Sequence, residues 1–254
     1  MRTSKGTAAA AATAVSLALL LTACSGAKEE SGDKGKDAPK ASASATSAVP
    51  DAKALSVAEL EKLIVEQADL KGHQVQKAKP ADVVKSGDVT TDKPGCKPLA
   101  DAMSFVATGT PGASVQRKAI EVPKTSGATA SPEEALGALA APVTAVTLGS
   151  YDGSGAHDAF ASLKKAGAEC AGGFTLIGGG EKTTIHKVTP ESVTAGEESV
   201  AFTVITDMDG KPFITNVVAF RKGNTLASLS TLSLGGKVKE LPQAVIDAQA
   251  AKLG

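Results

Sequence analysis

The chain has no tryptophan, one tyrosine and six phenylalanines in 254 residues. Sites that stack sugars or nucleobases are built on aromatic faces, so a stacking platform is excluded. A basic surplus is missing too: 27 Lys and Arg face 27 Asp and Glu. With no basic stretch in the folded part, nucleic acid, which selects a cationic surface, is excluded as a partner. There are only three histidines. His73, His157 and His186 lie far apart in different elements, whereas zinc sites pair their ligands at close spacing such as i, i+4. No metal ligand set and no cofactor is assigned. A long apolar run is lacking as well, since a spanning helix needs roughly 20 such residues and the stretch from about Ala8 to Leu21 is shorter.

What stands at the N-terminus is an export signal. Arg2 and Lys5 precede the short apolar stretch, the order of a charged n-region and an h-region. The stretch ends Leu21-Thr22-Ala23-Cys24, which resembles the lipobox of bacterial lipoproteins. That resemblance implies cleavage after Ala23 and a diacylglyceryl thioether on Cys24. Membrane lipid is then a partner through acylated Cys24, on the extracytoplasmic face, and each buried CH₂ of an acyl chain contributes about 0.8 kcal/mol. Losing residues 1–23 removes two bases and no acid, leaving a net charge of −2.

Residues 24–54 follow as a lipidated cysteine and a tether of Ala, Ser, Lys, Gly, Asp and Glu. Such a segment buries too little apolar surface to offset its ordering entropy. The remainder, 55–254, suits one domain. With Cys24 consumed by lipid, Cys96 and Cys170 are left. Two cysteines in an exported domain favour a disulfide, worth about 4 kcal/mol for so long a loop in the chain-entropy model; two buried free thiols are the alternative.

Several stretches invite chemistry and fail its spacing. Asp207-x-Asp209-Gly210 opens like a calcium loop, but position 211 is Lys and position 218 is Val where ligands are required, leaving a hairpin turn. Gly178-Gly179-Gly180-Glu181-Lys182-Thr183 lacks the adjacent Gly-Lys of a phosphate loop. Ser150 and Ser154 sit among glycines without the Gly-x-Ser-x-Gly of a hydrolase elbow. Asp152, Ser154 and Asp158 serve instead as helix-start residues that meet unpaired N–H groups. No catalytic residue is assigned, and the chain reads as a non-enzyme.

The local pattern gives the architecture. Ser56 and Glu59 form a capping box and Leu55 with Leu60 a hydrophobic staple; Leu60, Leu63, Ile64 and Ala68 share a helical face, and Gly72 closes that helix. A short strand lies near Val75, a short helix after Cys96, and strands at Val115–Val122 and Val143–Leu148. Between those strands, Ser131-Pro132 opens a helix carrying Leu136 and Leu139. A helix runs from about Gly155 to Ala168. The C-terminal third changes period: Phe174–Leu176, Thr183–Val188, Ser199–Thr206, Phe213–Phe220 and Leu226–Leu232 read as a meander, with hairpin turns at Asp207–Gly210 and Arg221–Asn224. A last helix spans about Pro242 to Lys252. The class is α+β, a curved antiparallel sheet with helices packed on one face, a single domain after a signal peptide and flexible linker.

This order of features resembles the extracellular sensor domain of PknH-like receptor serine/threonine kinases, a domain that also occurs on free-standing lipoproteins. The matching pieces are Ala68-Asp69-Leu70-Lys71-Gly72, Cys96-Lys97-Pro98-Leu99, the strand Val146 to Tyr151, the helix running into Cys170, and the turn within Ala219-Phe220-Arg221-Lys222-Gly223-Asn224-Thr225-Leu226. The resemblance implies a cleft between sheet and helices, a binding or sensing role at the cell surface, and no catalysis. Apolar meander residues, Phe202, Val204, Phe213 and Phe220, are the candidates to line that cleft, which suits a small, apolar ligand; the same residues would serve any core. The alternative is a non-enzymatic module that docks on another envelope protein or the wall, which would expose a large apolar patch.

Overall fold

Helix α1 (Val57–Leu63) starts on the capping box: Glu59 N donates to Ser56 Oγ at 3.3 Å, and Ser56 N donates to Glu59 Oε2 at 2.8 Å. The computed structural model describes residues 52–79, 83–123, 140–208, 210–235, 238 and 240–254. The signal, Cys24, nearly all of the tether and the Ser131 helix lie outside them. Residues 52–54, expected as the end of the tether, are hydrogen-bonded to the domain. Gly153 N donates to the Ala52 carbonyl (2.7 Å), Asn224 Nδ2 to that of Lys53 (2.6 Å), and Ala54 N to Asp152 Oδ1 (2.9 Å). Leu55 N completes the seam on Ser150 Oγ at 2.9 Å.

Helix α1 does not continue to Gly72. It stops at Leu63, and Ile64 is extended. The cause lies 186 residues away. Gln249, fully buried, donates from Nε2 to the Leu63 carbonyl at 2.8 Å and accepts from Val65 N at 3.0 Å. Its amide thus takes one acceptor and one donor that the next helical turn would have used. The chain then passes a 3-10 turn at Gln67–Asp69, and Gly72, at φ +75°, turns it into the first strand.

Among the described residues, nine strands form one antiparallel sheet: β1 (His73–Lys77), β2 (Val89–Thr91), β3 (Ala113–Glu121), β4 (Val143–Ser150), β5 (Phe174–Gly178), β6 (Glu181–Glu191), β7 (Glu198–Met208), β8 (Lys211–Lys222) and β9 (Thr225–Leu232). Their order is β1-β3-β4-β9-β8-β7-β6-β5-β2. The expected meander is β5 to β9. A register slip between Ile185 and Lys187 bulges β6 and increases its local twist. The edge strand β2 had no signature in the sequence. At the other edge, Gln67 covers part of β1: Val75 N donates to its Oε1 and its Nε2 donates to the His73 carbonyl.

The class and the curved antiparallel sheet are those expected, but the helices lie on both faces rather than one. Successive side chains of a strand point to opposite faces. On β8, Val217 and Ala219 join one core cluster and Val218 and Phe220 the other. The first cluster packs α2 (Lys97–Met103) and α3 (Gly155–Glu169); the second packs α1 and α4 (Gln243–Leu253). A strand as continuously apolar as Val217 to Phe220 requires cover on both sides.

A Cys96–Cys170 disulfide ties the start of α2 to the end of α3, its Cα atoms 5.9 Å apart across 74 residues of sequence. Both sulfurs are buried in the α2/α3 cluster. Two buried arginines make ion pairs, one at the middle of β3 and one near the end of β8. Arg117 pairs with Glu61 of α1. Arg221 reaches Glu197 at 2.8 Å, Glu198 at 3.3 Å and the Gly223 carbonyl at 2.8 Å.

Candidate functional site

The four apolar candidates do not surround one space. Phe202 and Val204 lie on the α2/α3 face, and Phe213, opposite Thr206 in the register, shares that face. Phe220 lies on the other, so the sheet itself separates it from the rest. Val204 and Phe220 are 0 % exposed and touch no space that water could enter. The Phe202 ring presses on α3 at Gly167, where a Cβ would stand 2.1 Å from the ring edge. These side chains are packed core.

The histidines fall in β1, α3 and β6, and among the described residues no group of His, Cys, Asp and Glu is placed to hold a metal ion. Gly210 N donates to Asp207 Oδ1 at 2.8 Å and Gly210 has φ +74°, closing the β7–β8 turn. Gly179 and Gly180, both at positive φ, form the two-residue β5–β6 hairpin. Ser150 Oγ holds the Leu55 amide, and Ser154 Oγ donates to Asp158 at 2.8 Å. That bond, followed by the contact with His157, holds the Asp158 carboxyl below the usual range.

A buried carboxylate is carried on α2 itself. Asp101, 3 % exposed, is bonded by Lys97 from the preceding turn, and Lys97 Nζ also donates to Ser86 Oγ at 2.9 Å. Burial pushes the Asp101 carboxyl up, with Lys97 opposing. Nearby, Tyr151 donates its hydroxyl to the Thr108 carbonyl at 2.5 Å. Burial, then the Asp101 charge, push that phenol up.

A cleft of about 470 Å³ among the described residues lies on the α1/α4 face, where β4 begins and β9 ends. Its floor is part of a polar row. Thr189, Thr203, Asn216, Thr231 and Thr144 stand side by side on β6, β7, β8, β9 and β4. The pleat puts them on the face that Val218 and Phe220 share, one step beyond the apolar cluster. Thr144 and Thr231, 3 % and 2 % exposed, meet hydroxyl to hydroxyl at 2.9 Å. Asn216 Nδ2 donates to the Glu240 carbonyl at 2.9 Å, which holds the chain ahead of α4 beside this row. Val238, Leu241 and Pro242 form the wall on that side, Pro142 faces them, and His73 with Glu121, partners across β1 and β3, stand at the rim. Sequence reasoning missed this place. Its trace was the polar interruption of apolar strands at Asn216 and Thr231, which becomes a row only once the register of five strands is known.

Nine antiparallel strands in one curved sheet, helices on both faces and a disulfide from the first helix of one face to the second define, among the described residues, an α+β domain. The particular fold is that of the extracellular domain of PknH from Mycobacterium tuberculosis, whose crystal structure aligns over 79 % of this chain and 97 % of its own, with a TM-score of 0.51 and 11 % identity. An uncharacterised protein of Mycobacterium smegmatis, the Rv0999 ortholog, aligns over 80 % of this chain and 96 % of its own, at 13 % identity and a TM-score of 0.37. No protein-family model and no curated protein sequence matches. No helix among the described residues is long and apolar enough to cross a membrane.

Proposed function

We propose that the chain is an extracytoplasmic lipoprotein, anchored through acylated Cys24, whose folded domain binds a small molecule in the Thr144–Thr231 cleft. The anchor rests on the charge, apolar run and Leu-Thr-Ala-Cys order of the N-terminus. The location is supported by the fold shared with a receptor's extracellular domain and by the buried disulfide, a bond of oxidising compartments. The observation that carries binding is the cleft: its volume is that of small-molecule sites, and buried polar groups converge on its floor. The apolar residues first considered are filled core, so the ligand is a polar one. The reading assigns no catalysis.

The test is native mass spectrometry of the protein extracted from its own membranes, wild type beside Thr231→Leu, which fills the cleft floor. An added mass on the wild type that Thr231→Leu lacks supports the reading. No added mass on either, or the same on both, overturns it. Cys24→Ser in parallel is expected to leave the membrane fraction, and retention there would sink the anchor.

A further inference from the structure

We propose, resting on the cleft reading above, that the ligand is a small hydroxylated amine: an organic cation held by its ammonium at the rim and by a hydroxyl on the floor. The rim offers acceptors. Glu121 and Glu240 line it, and neither has an ion-pair partner among the described residues. His73 Nδ1 lies 3.3 Å from the Lys71 carbonyl. A carbonyl only accepts, so in this contact Nδ1 is the donor. An ammonium, with three donors and no acceptor, is the complement of such a set. No Lys or Arg among the described residues lines the cleft.

The floor carries the second half of the argument. Two hydroxyls own two protons, and the contact between Thr144 and Thr231 uses one. The other proton has no acceptor among the described residues, although both side chains are more than nine-tenths buried and line the cleft. A group that accepts one bond and donates another, which is what an alcohol does, satisfies both the spare proton and the threonine lone pairs. Pro142, Val238, Leu241 and Pro242 supply methylene contacts between the two ends. Nothing aromatic is offered, so the ligand need not be a ring.

The probes are glucamine, sorbitol and gluconate, one polyol skeleton ending in a cation, a neutral group or an anion. Each is titrated into the full chain and followed by amide NMR shifts at Thr144 and Thr231. Glucamine is expected to shift these amides saturably, with sorbitol about tenfold weaker and gluconate silent. Glu121→Gln and Glu240→Gln, both on exposed side chains that the fold does not lean on, should each weaken glucamine about fivefold, the scale of one exposed charge pair. Equal response to all three probes, or indifference to both substitutions, overturns the cation and leaves the cleft reading standing. Silence toward all three overturns the hydroxylated amine. The cleft reading then survives only if the wild-type protein still carries an added mass that Thr231→Leu lacks.

Discussion

At the scale of single residues, the side chain with the most leverage is a neutral amide. Gln249 satisfies the Leu63 carbonyl and the Val65 amide inside the α1/α4 cluster. Gln249→Leu keeps the volume and removes both bonds, leaving the buried Val65 amide and the part-buried Leu63 carbonyl unpaired, in the lower part of about 1–3 kcal/mol each. Urea unfolding should show a loss of about 2–4 kcal/mol, and an unchanged midpoint would mean that α1 ends at Leu63 for another reason. Lys97 has a comparable role toward a charge. Lys97→Met strands the Asp101 carboxylate, a change of the kind that costs about 3–5 kcal/mol for a fully buried pair; with Lys97 one-third exposed, the lower part of that range is expected. The sign with pH is fixed. Burial raises the folded-state value of Asp101 above its ordinary 3.8, so the folded chain holds this proton more tightly than the unfolded chain. Stability from this group is therefore complete below 3.8 and declines as pH rises through the raised value. Lys97→Met should cost much less in acid, where Asp101 is neutral in both states, than at neutral pH, as thermal midpoints across that range would show.

Between elements, the α2/α3 layer is fastened twice, by a covalent bond and by a close fit. Replacing both Cys96 and Cys170 by Ala should lower stability by about 4 kcal/mol, the entropy of opening so long a loop; calorimetry with and without reductant on the wild type checks the same number. The fit is tested at Gly167. Gly167→Ala drives a methyl into the Phe202 ring and should cost about 1–3 kcal/mol by overpacking, while Gly167→Ala with Phe202→Leu should recover part of it. If the double variant is no better than the single, Phe202 is not the obstacle. The elements themselves were largely legible beforehand. Alternation and turn chemistry marked β5 to β9, and the Ser56–Glu59 box marked α1. What misled was the assumption that a meander buries one face. Val217-Val218-Ala219-Phe220 already said otherwise, because four apolar residues in a row cannot all point to the same side. The end of α1 was not legible at all, since its cause is a glutamine near the opposite terminus. Nor was the cleft, whose floor comes from β4 and β9, adjacent in the sheet and far apart in the chain.

For the whole molecule, two features sit at opposite ends of the same strand. The seam formed by Ala52 to Leu55 is sewn to Ser150, Asp152, Gly153 and Asn224, at the finish of β4 and the turn before β9. The cleft opens at the start of β4 and the finish of β9. Thr144 and Ser150 are six residues apart, about 20 Å at the rise of a strand. Residues 52–55 and the cleft thus stand at opposite ends of β4. Immobilising the protein through its N-terminus should therefore leave the kinetics of binding at the cleft as they are in free solution.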